Sequence, residues 1–191
     1  MASRVSIQTE DFDLGAEVAA LRANDASADA SADASVGAVA AFVGTVRDRH
    51  GDRGGVQSME LEHYPGMTER AIESMIDAAM QRFGIQAARV VHRIGLLAPR
   101  DQIMMVAVTS AHRGSAFQAC EFLMDYLKTQ APFWKKERTA DGARWVDARV
   151  ADDAALRRWG IAATNAAPEA TGEASAARPI SASAPGEVPP A

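Results

Sequence analysis

The sequence predicts an α+β fold, a mainly antiparallel sheet carrying two principal helices, on three observations. Two stretches carry apolar residues at helical spacing, and strand-like segments come in pairs joined by short turns. Helices and strands do not alternate one for one, as a parallel sheet with crossover helices would require.

The elements read in order as follows. Val5 and Ile7 suggest a short first strand, and an amphipathic stretch surrounds Val18 and Leu21. Gly37–Arg47 (GAVAAFVGTVR) is apolar and β-branched, as in a buried strand that ends in charge. Val56–Tyr64 alternates, placing Met59 and Leu61 on one face and Glu60 and Glu62 on the other. Thr68 is placed to cap a helix whose apolar face is Ile72, Met75, Ile76, Ala79, Met80 and Phe83, with Gly84 as its stop. Val90–Leu97 and Gln102–Thr109 read as two strands joined by a turn at Pro99-Arg100-Asp101. Ser115 and Gln118 have capping-box spacing at the start of a second helix, with Phe117, Cys120, Leu123, Met124 and Leu127 facing inward. Pro132 must end it, because the residue before a proline avoids helical geometry. Asp141-Gly142 then marks a hairpin between Phe133–Arg138 and Ala143–Asp147.

Composition sets the limits. The chain of 191 residues is long enough for one domain with a sizeable core, here placed at 1–159. Residues 24–36 (NDASADASADASV) form an Ala-Ser-Asp repeat expected to be a disordered insertion, and 160–191, rich in Ala, Pro, Glu and Ser, a disordered tail. The formal net charge of −5 argues against a nucleic-acid partner. It resides wholly in those two segments, so an anion site in the remainder works against no strong field. One cysteine, Cys120, excludes an intrachain disulfide, and the absence of an apolar leader or spanning run predicts a cytoplasmic protein without a membrane segment. His50, His63, His92 and His112 have no metal-ligand spacing, so no metal or cofactor is expected.

Three places offer chemistry. Lys128 lies in the last turn of the second helix, where a cation complements the helix dipole whatever else it does. Lys135 and Lys136 follow Pro132, and a chain that doubles back there brings Lys135 to Lys128. Paired ammonium groups beside Phe133 and Trp134 would be tuned towards nucleophilic or acid–base work, although solvated surface lysines are the better account of the spacing alone. His112-Arg113, ahead of a helix N-terminus, suits a phosphate or carboxylate, or merely a turn and an ion pair. Arg47 ends an apolar strand, where a side chain can enter a cleft.

Six segments, FVGTVRD, LEHYPGMTE, VVHRIGLL, VTSAHRGSAF, MDYLKTQAPFWKKE and WVDAR, together resemble in order and spacing the catalytic (large) subunit family of molybdopterin synthase, over residues 37–159. The resemblance implies an α/β-hammerhead fold and a homodimer with a small ubiquitin-like sulfur-carrier subunit at each end. That carrier's C-terminal Gly-Gly thiocarboxylate would supply sulfur to cyclic pyranopterin monophosphate (precursor Z), forming the dithiolene of molybdopterin. The family's catalytic lysines fall on Lys128 and Lys135, and its substrate contacts on Thr45, Val46, Arg47, His112, Arg113, Lys128, Lys135, Lys136 and Glu137. The His-Arg pair would serve the site of the other large subunit. With one cysteine on a helix face and a Pro-Pro-Ala end, this chain is itself no sulfur carrier, so sulfur must arrive on a partner. The rival readings are a non-catalytic scaffold of the same fold and a plain anion-binding module.

Overall fold

A computed structural model describes residues 3–25, 35–48, 55–140, 142–146 and 157–160. Most of the expected insertion (26–34), the tail beyond Gly160, the glycines at 51 and 54, Asp141 and the Asp147–Arg149 part of WVDAR lie outside the described residues.

The elements are β1 (Val5–Gln8), α1 (Leu14–Asp25), β2 (Ala38–Thr45), β3 (Ser58–His63), α2 (Met67–Phe83) and β4 (Ala87–Arg93). Then follow β5 (Gly95–Leu97), β6 (Gln102–Ser110), α3 (Arg113–Thr129), β7 (Phe133–Thr139) and β8 (Gly142–Val146). They form two four-stranded sheets, ordered β1-β4-β6-β2 and β5-β3-β7-β8. Only the β1–β4 pairing is parallel among the described strands.

The first sheet is covered on both faces, which explains why β6 is apolar almost throughout instead of alternating. Its Met104, Val106 and Val108 join Ala88, Val90 and Ala40 beneath α2 and α3. Met105 and Ala107 point the other way, with Val91, to Phe12 and Leu21 beside α1. The amphipathic stretch around Val18 and Leu21 is therefore a third helix. In the second sheet, Met59 and Leu61 are buried with Leu97 and Val46 while Glu62 is exposed, so the alternation of β3 holds.

Four local expectations change. The segment Val90–Leu97 is two strands: Gly95 adopts a left-handed φ of 81°, and the chain passes from the first sheet into the second, where Leu97 pairs with Met59. Thr68 does not cap α2. The helix starts one residue earlier, at Met67, and the Glu69 carboxylate accepts the Gly66 N–H at 2.6 Å while Thr68 is buried in the first turn. Helix α3 likewise starts before Ser115, with His112 in extended geometry at its N-cap. Phe117 is 65% exposed, because Ala116, Ala119, Cys120, Leu123 and Leu127 form the inward row and the two alanines leave no room for a ring there. The stop at Gly84 stands, with φ 61° and its N–H on the Met80 carbonyl at 3.0 Å.

Arg157–Gly160 return to the helix pair. Trp159 packs edge-on against Phe83 and Phe122, and its indole N–H donates to Asp125 at 2.7 Å. Beside α3's other end, the Gly37 N–H donates to Ser110 O at 3.0 Å, and a Cβ on Gly37 would lie well inside van der Waals contact distance of the Ala111 carbonyl oxygen. Gly37→Ala is expected to lower stability by about 1–3 kcal/mol through this clash, read as a lower urea midpoint at unchanged m-value.

Candidate functional site

The site is built by a reversal of the chain. Helix α3 leaves β6 through only Ala111 and His112 and packs back along β6 and β2. Its last turn therefore lies beside the first residues of β6. Pro132 follows, the Phe133 N–H closes a tight turn on the Ala131 carbonyl at 2.8 Å, and β7 runs off alongside β3.

This reversal brings Lys128 and Lys135 to one cavity of about 240 Å³ between the two sheets. Its walls include Met59 and Leu61 from β3, Met104 from β6 and Leu127 from α3. Lys135 pairs with Leu61 across β3 and so faces inward. Its Nζ lies 3.6 Å from Oε1 of Glu137, which is two residues on, on the same face, and 1% exposed. Among the described residues no acid pairs with Lys128, whose side chain is exposed at the helix end. The two cations thus differ: Lys135 lies beside a buried carboxylate, and Lys128 is exposed with no acid beside it among the described residues.

The remaining predicted residues separate into groups. Lys136 points to the opposite face of β7, its Nζ 5.3 Å from the centroid of the exposed Trp145 ring, and does not line the cavity. Val46 is 2% exposed and packs with Met59 and Leu61 beneath the cavity wall, anchored by backbone hydrogen bonds to Asp101 and Arg100 at 2.9 and 2.8 Å. Thr45 and Arg47 flank it, exposed, at the same end of the sheet as Lys128. His112 and Arg113 are exposed at the far end of α3. At 1.5 Å of rise per residue they stand roughly 22 Å from Lys128 along the helix axis. One chain does not bring them to its own cavity.

His92 is the residue that the sequence reading passed over. It continues the inward row of Ala88 and Val90 at the end of β4, is 7% exposed and lines the cavity. Its ring stacks on Phe133 at 3.7 Å between centroids and 14° between planes. Nδ1 lies 2.8 Å from the Arg93 carbonyl oxygen, which can only accept, so Nδ1 carries the proton. Burial lowers its pKa to about 4. The signal was a histidine in register with apolar neighbours in VVHRIG, unlike a surface histidine.

Cys120 is buried and its thiol is pushed up to about 11 by burial, with Glu121 adding to the shift, so it is no thiolate at neutral pH. Among the described residues no group of three His, Cys, Asp or Glu side chains could hold a metal ion, and no helix is long and apolar enough to cross a membrane. Two lysines, apolar walls and a neutral imidazole suit an anionic acyl group and proton transfer close to it.

The buried imidazole makes stability pH-dependent with a definite sign. The unfolded chain takes up the proton first, so stability present above pH 6.5 is lost as pH falls towards 4. For this group the loss is about 3 kcal/mol. His92→Phe is expected to remove that component, so the gap between the two proteins' unfolding free energies should change by about this amount between pH 7 and pH 4 in urea titrations.

Comparison with known proteins agrees with the geometry. The family described as MoaE protein matches residues 7–130. The molybdopterin synthase catalytic subunit of Ralstonia nicotianae is 60% identical over 173 residues, covering 91% of this chain and 93% of its own. That of Escherichia coli is 54% identical over 124 residues, 64% of this chain and 81% of its own. Among solved structures, the molybdopterin biosynthesis MoaE protein from Burkholderia ambifaria superposes with a TM-score of 0.69 at 57% identity, over 83% of this chain and 99% of that one. Molybdopterin synthase from Staphylococcus aureus gives 0.66 at 27% identity, over 77% and 99%. With its fold and these relatives in agreement, the chain belongs to the MoaE family, that of the molybdopterin synthase catalytic subunit.

Proposed function

We propose that the chain is a sulfurtransferase, moving sulfur from the thiocarboxylated C-terminus of a small ubiquitin-like subunit to precursor Z and so forming the molybdopterin dithiolene. The observation that carries this reading is the convergence of Lys128 and Lys135 on one cavity. A carrier thiocarboxylate is anionic and narrow, which fits an apolar-walled cleft with two cations. Each transfer consumes one water, whose oxygen takes the place of the departing sulfur and leaves a carboxylate where a thiocarboxylate was, and ring opening of the substrate calls for protons to be moved. Lys128, unpaired and at a helix end, is the main catalytic group. Lys135, held beside Glu137, supplies fixed positive charge and assists with protons. Thr45 and Arg47 stand exposed at the same end of the sheet as Lys128, held there by the buried Val46 between them, and Arg47 offers its guanidinium to the substrate phosphate. Lys136 enters as a rim cation on the outer face, and no bound cofactor is required. The reaction is placed in the cytoplasm, within one domain ending near Trp159, with 24–36 and the tail as spacers.

The separation of His112-Arg113 from Lys128 supports a homodimer in which each cavity borrows that pair from the second copy. The whole assembly is then a heterotetramer, two large and two small subunits.

Two experiments test this. Purified chain mixed with thiocarboxylated small subunit and precursor Z should yield molybdopterin. Lys128→Ala should lower the rate at least ~100-fold and Lys135→Ala by roughly tenfold or more. An inactive parent chain would indicate a scaffold, and a fully active Lys128→Ala would remove that residue from catalysis. In the second, inactive Lys128→Ala and Arg113→Ala chains are unfolded, mixed and refolded together. Shared sites predict recovery of about a quarter of wild-type activity, from mixed dimers with one intact site. No recovery would mean that each chain serves its own cavity.

A further inference from the structure

We propose that His92 is a binding residue of this cavity, its Nε2 serving as a neutral hydrogen-bond acceptor for an N–H group on the anionic molecule that enters between Lys128 and Lys135. This deepens the sulfur-transfer reading and rests on it.

The argument starts from what a buried histidine costs. At the end of an otherwise apolar row, Ala88–Val90–His92, a phenylalanine would stack on Phe133 without burying two ring nitrogens. One nitrogen is accounted for: Nδ1–H donates to the Arg93 carbonyl, which fixes the tautomer and leaves the lone pair on Nε2. Among the described residues nothing is hydrogen-bonded to that lone pair. The Nδ1 edge is turned to the backbone and one face of the ring is covered by Phe133, which leaves Nε2 as the polar atom His92 has to offer the cavity it lines. The residue as a whole is 7% exposed, and Nε2 is not among the buried polar atoms left without a partner, so that edge keeps the accessible surface a ligand needs to reach it.

The ligand chemistry follows from the full donor set. Lys128 and Lys135 offer only N–H donors and positive charge, and the apolar walls offer neither. His92 is the complement that they lack, and its low proton affinity keeps it an acceptor at neutral pH. The matching molecule carries an N–H within a few bonds of its anionic group. Two entrants in this reaction satisfy that description: the peptide N–H of a terminal Gly-Gly next to its thiocarboxylate, and a ring N–H of the pterin.

The test uses the assembled enzyme with two readouts. His92→Phe keeps the stacked ring and removes the acceptor, while His92→Gln restores a carbonyl acceptor without the ring. His92→Phe is expected to weaken binding about 5- to 20-fold, with partial recovery in His92→Gln. A higher Kd for the thiocarboxylated small subunit, at unchanged KM for precursor Z, identifies the peptide N–H. A higher KM for precursor Z at unchanged Kd identifies the pterin. If folded His92→Phe changes neither constant, the ring is filler and the proposal is overturned. The second readout needs no substitution: in ¹⁵N-histidine-labelled wild-type protein, the Nε2 resonance of His92 should move upfield when one of the two entrants is added alone. A resonance unmoved by both at saturation, shown by calorimetry, overturns the proposal even if His92→Phe does not fold. An enzyme that makes no molybdopterin while its His92 resonance shifts would remove the sulfur-transfer reading and leave the acceptor assignment standing.

Discussion

The reversal at Pro132 is the constraint on which the site depends. Helix α3 is held against β6 and α2 by a wide apolar face, so its direction and its end point are fixed by packing. Proline then forbids another turn, and β7 finds its partner in β3, with Lys135 opposite Leu61 and Phe133 opposite His63. A helix terminus and an inward strand position thereby meet at one cavity, although neither element has a reason of its own to place a lysine there. On the strand side the lysine lies beside a buried carboxylate, and on the helix side it is exposed.

The second sheet carries its chemistry on one face only. Inward positions of β7 hold Phe133, Lys135 and Glu137, and the outward ones hold Trp134, Lys136 and Arg138. Because strand side chains alternate, two adjacent lysines cannot both enter the cavity. Lys136 instead covers the exposed Trp145. The same alternation seats His92 inward on β4 with Val90, which makes an imidazole part of a wall that is otherwise hydrocarbon.

Much of this was legible in the chain. Alternation in β3, the apolar spacing of α2 and the arrest of α3 at Pro132 are properties of local sequence, and the structure repeats them. The helix starts were not, because capping is decided by which residue the preceding loop leaves extended: Gly66 and His112, ahead of the plausible Thr68 and Ser115. Phe117 misled because helical periodicity gives a face but not its width, and α3 is wedged between a sheet and another helix. The break at Gly95 depended on a second sheet that no local pattern announces. The lysine pair is legible because Pro132 dictates where the chain turns. His92 is not, because a lone histidine without metal-ligand spacing carries no local sign that it faces a cavity as an acceptor.

The Lys135–Glu137 contact has a further consequence for turnover. Lys135 is held beside Glu137, so Lys128 is the cavity-lining cation with no acid paired to it among the described residues. In the sulfur-transfer reading, the incoming carrier terminus is monoanionic, and after giving up sulfur it is monoanionic still. Electrostatics therefore cannot distinguish a spent carrier from a loaded one. Exchange between the two must be driven by the supply of fresh carrier, or by contacts elsewhere on its surface, and spent carrier should act as a competitive product inhibitor. In that reading, a cavity that needs two sulfurs to complete one product must also release a spent carrier twice.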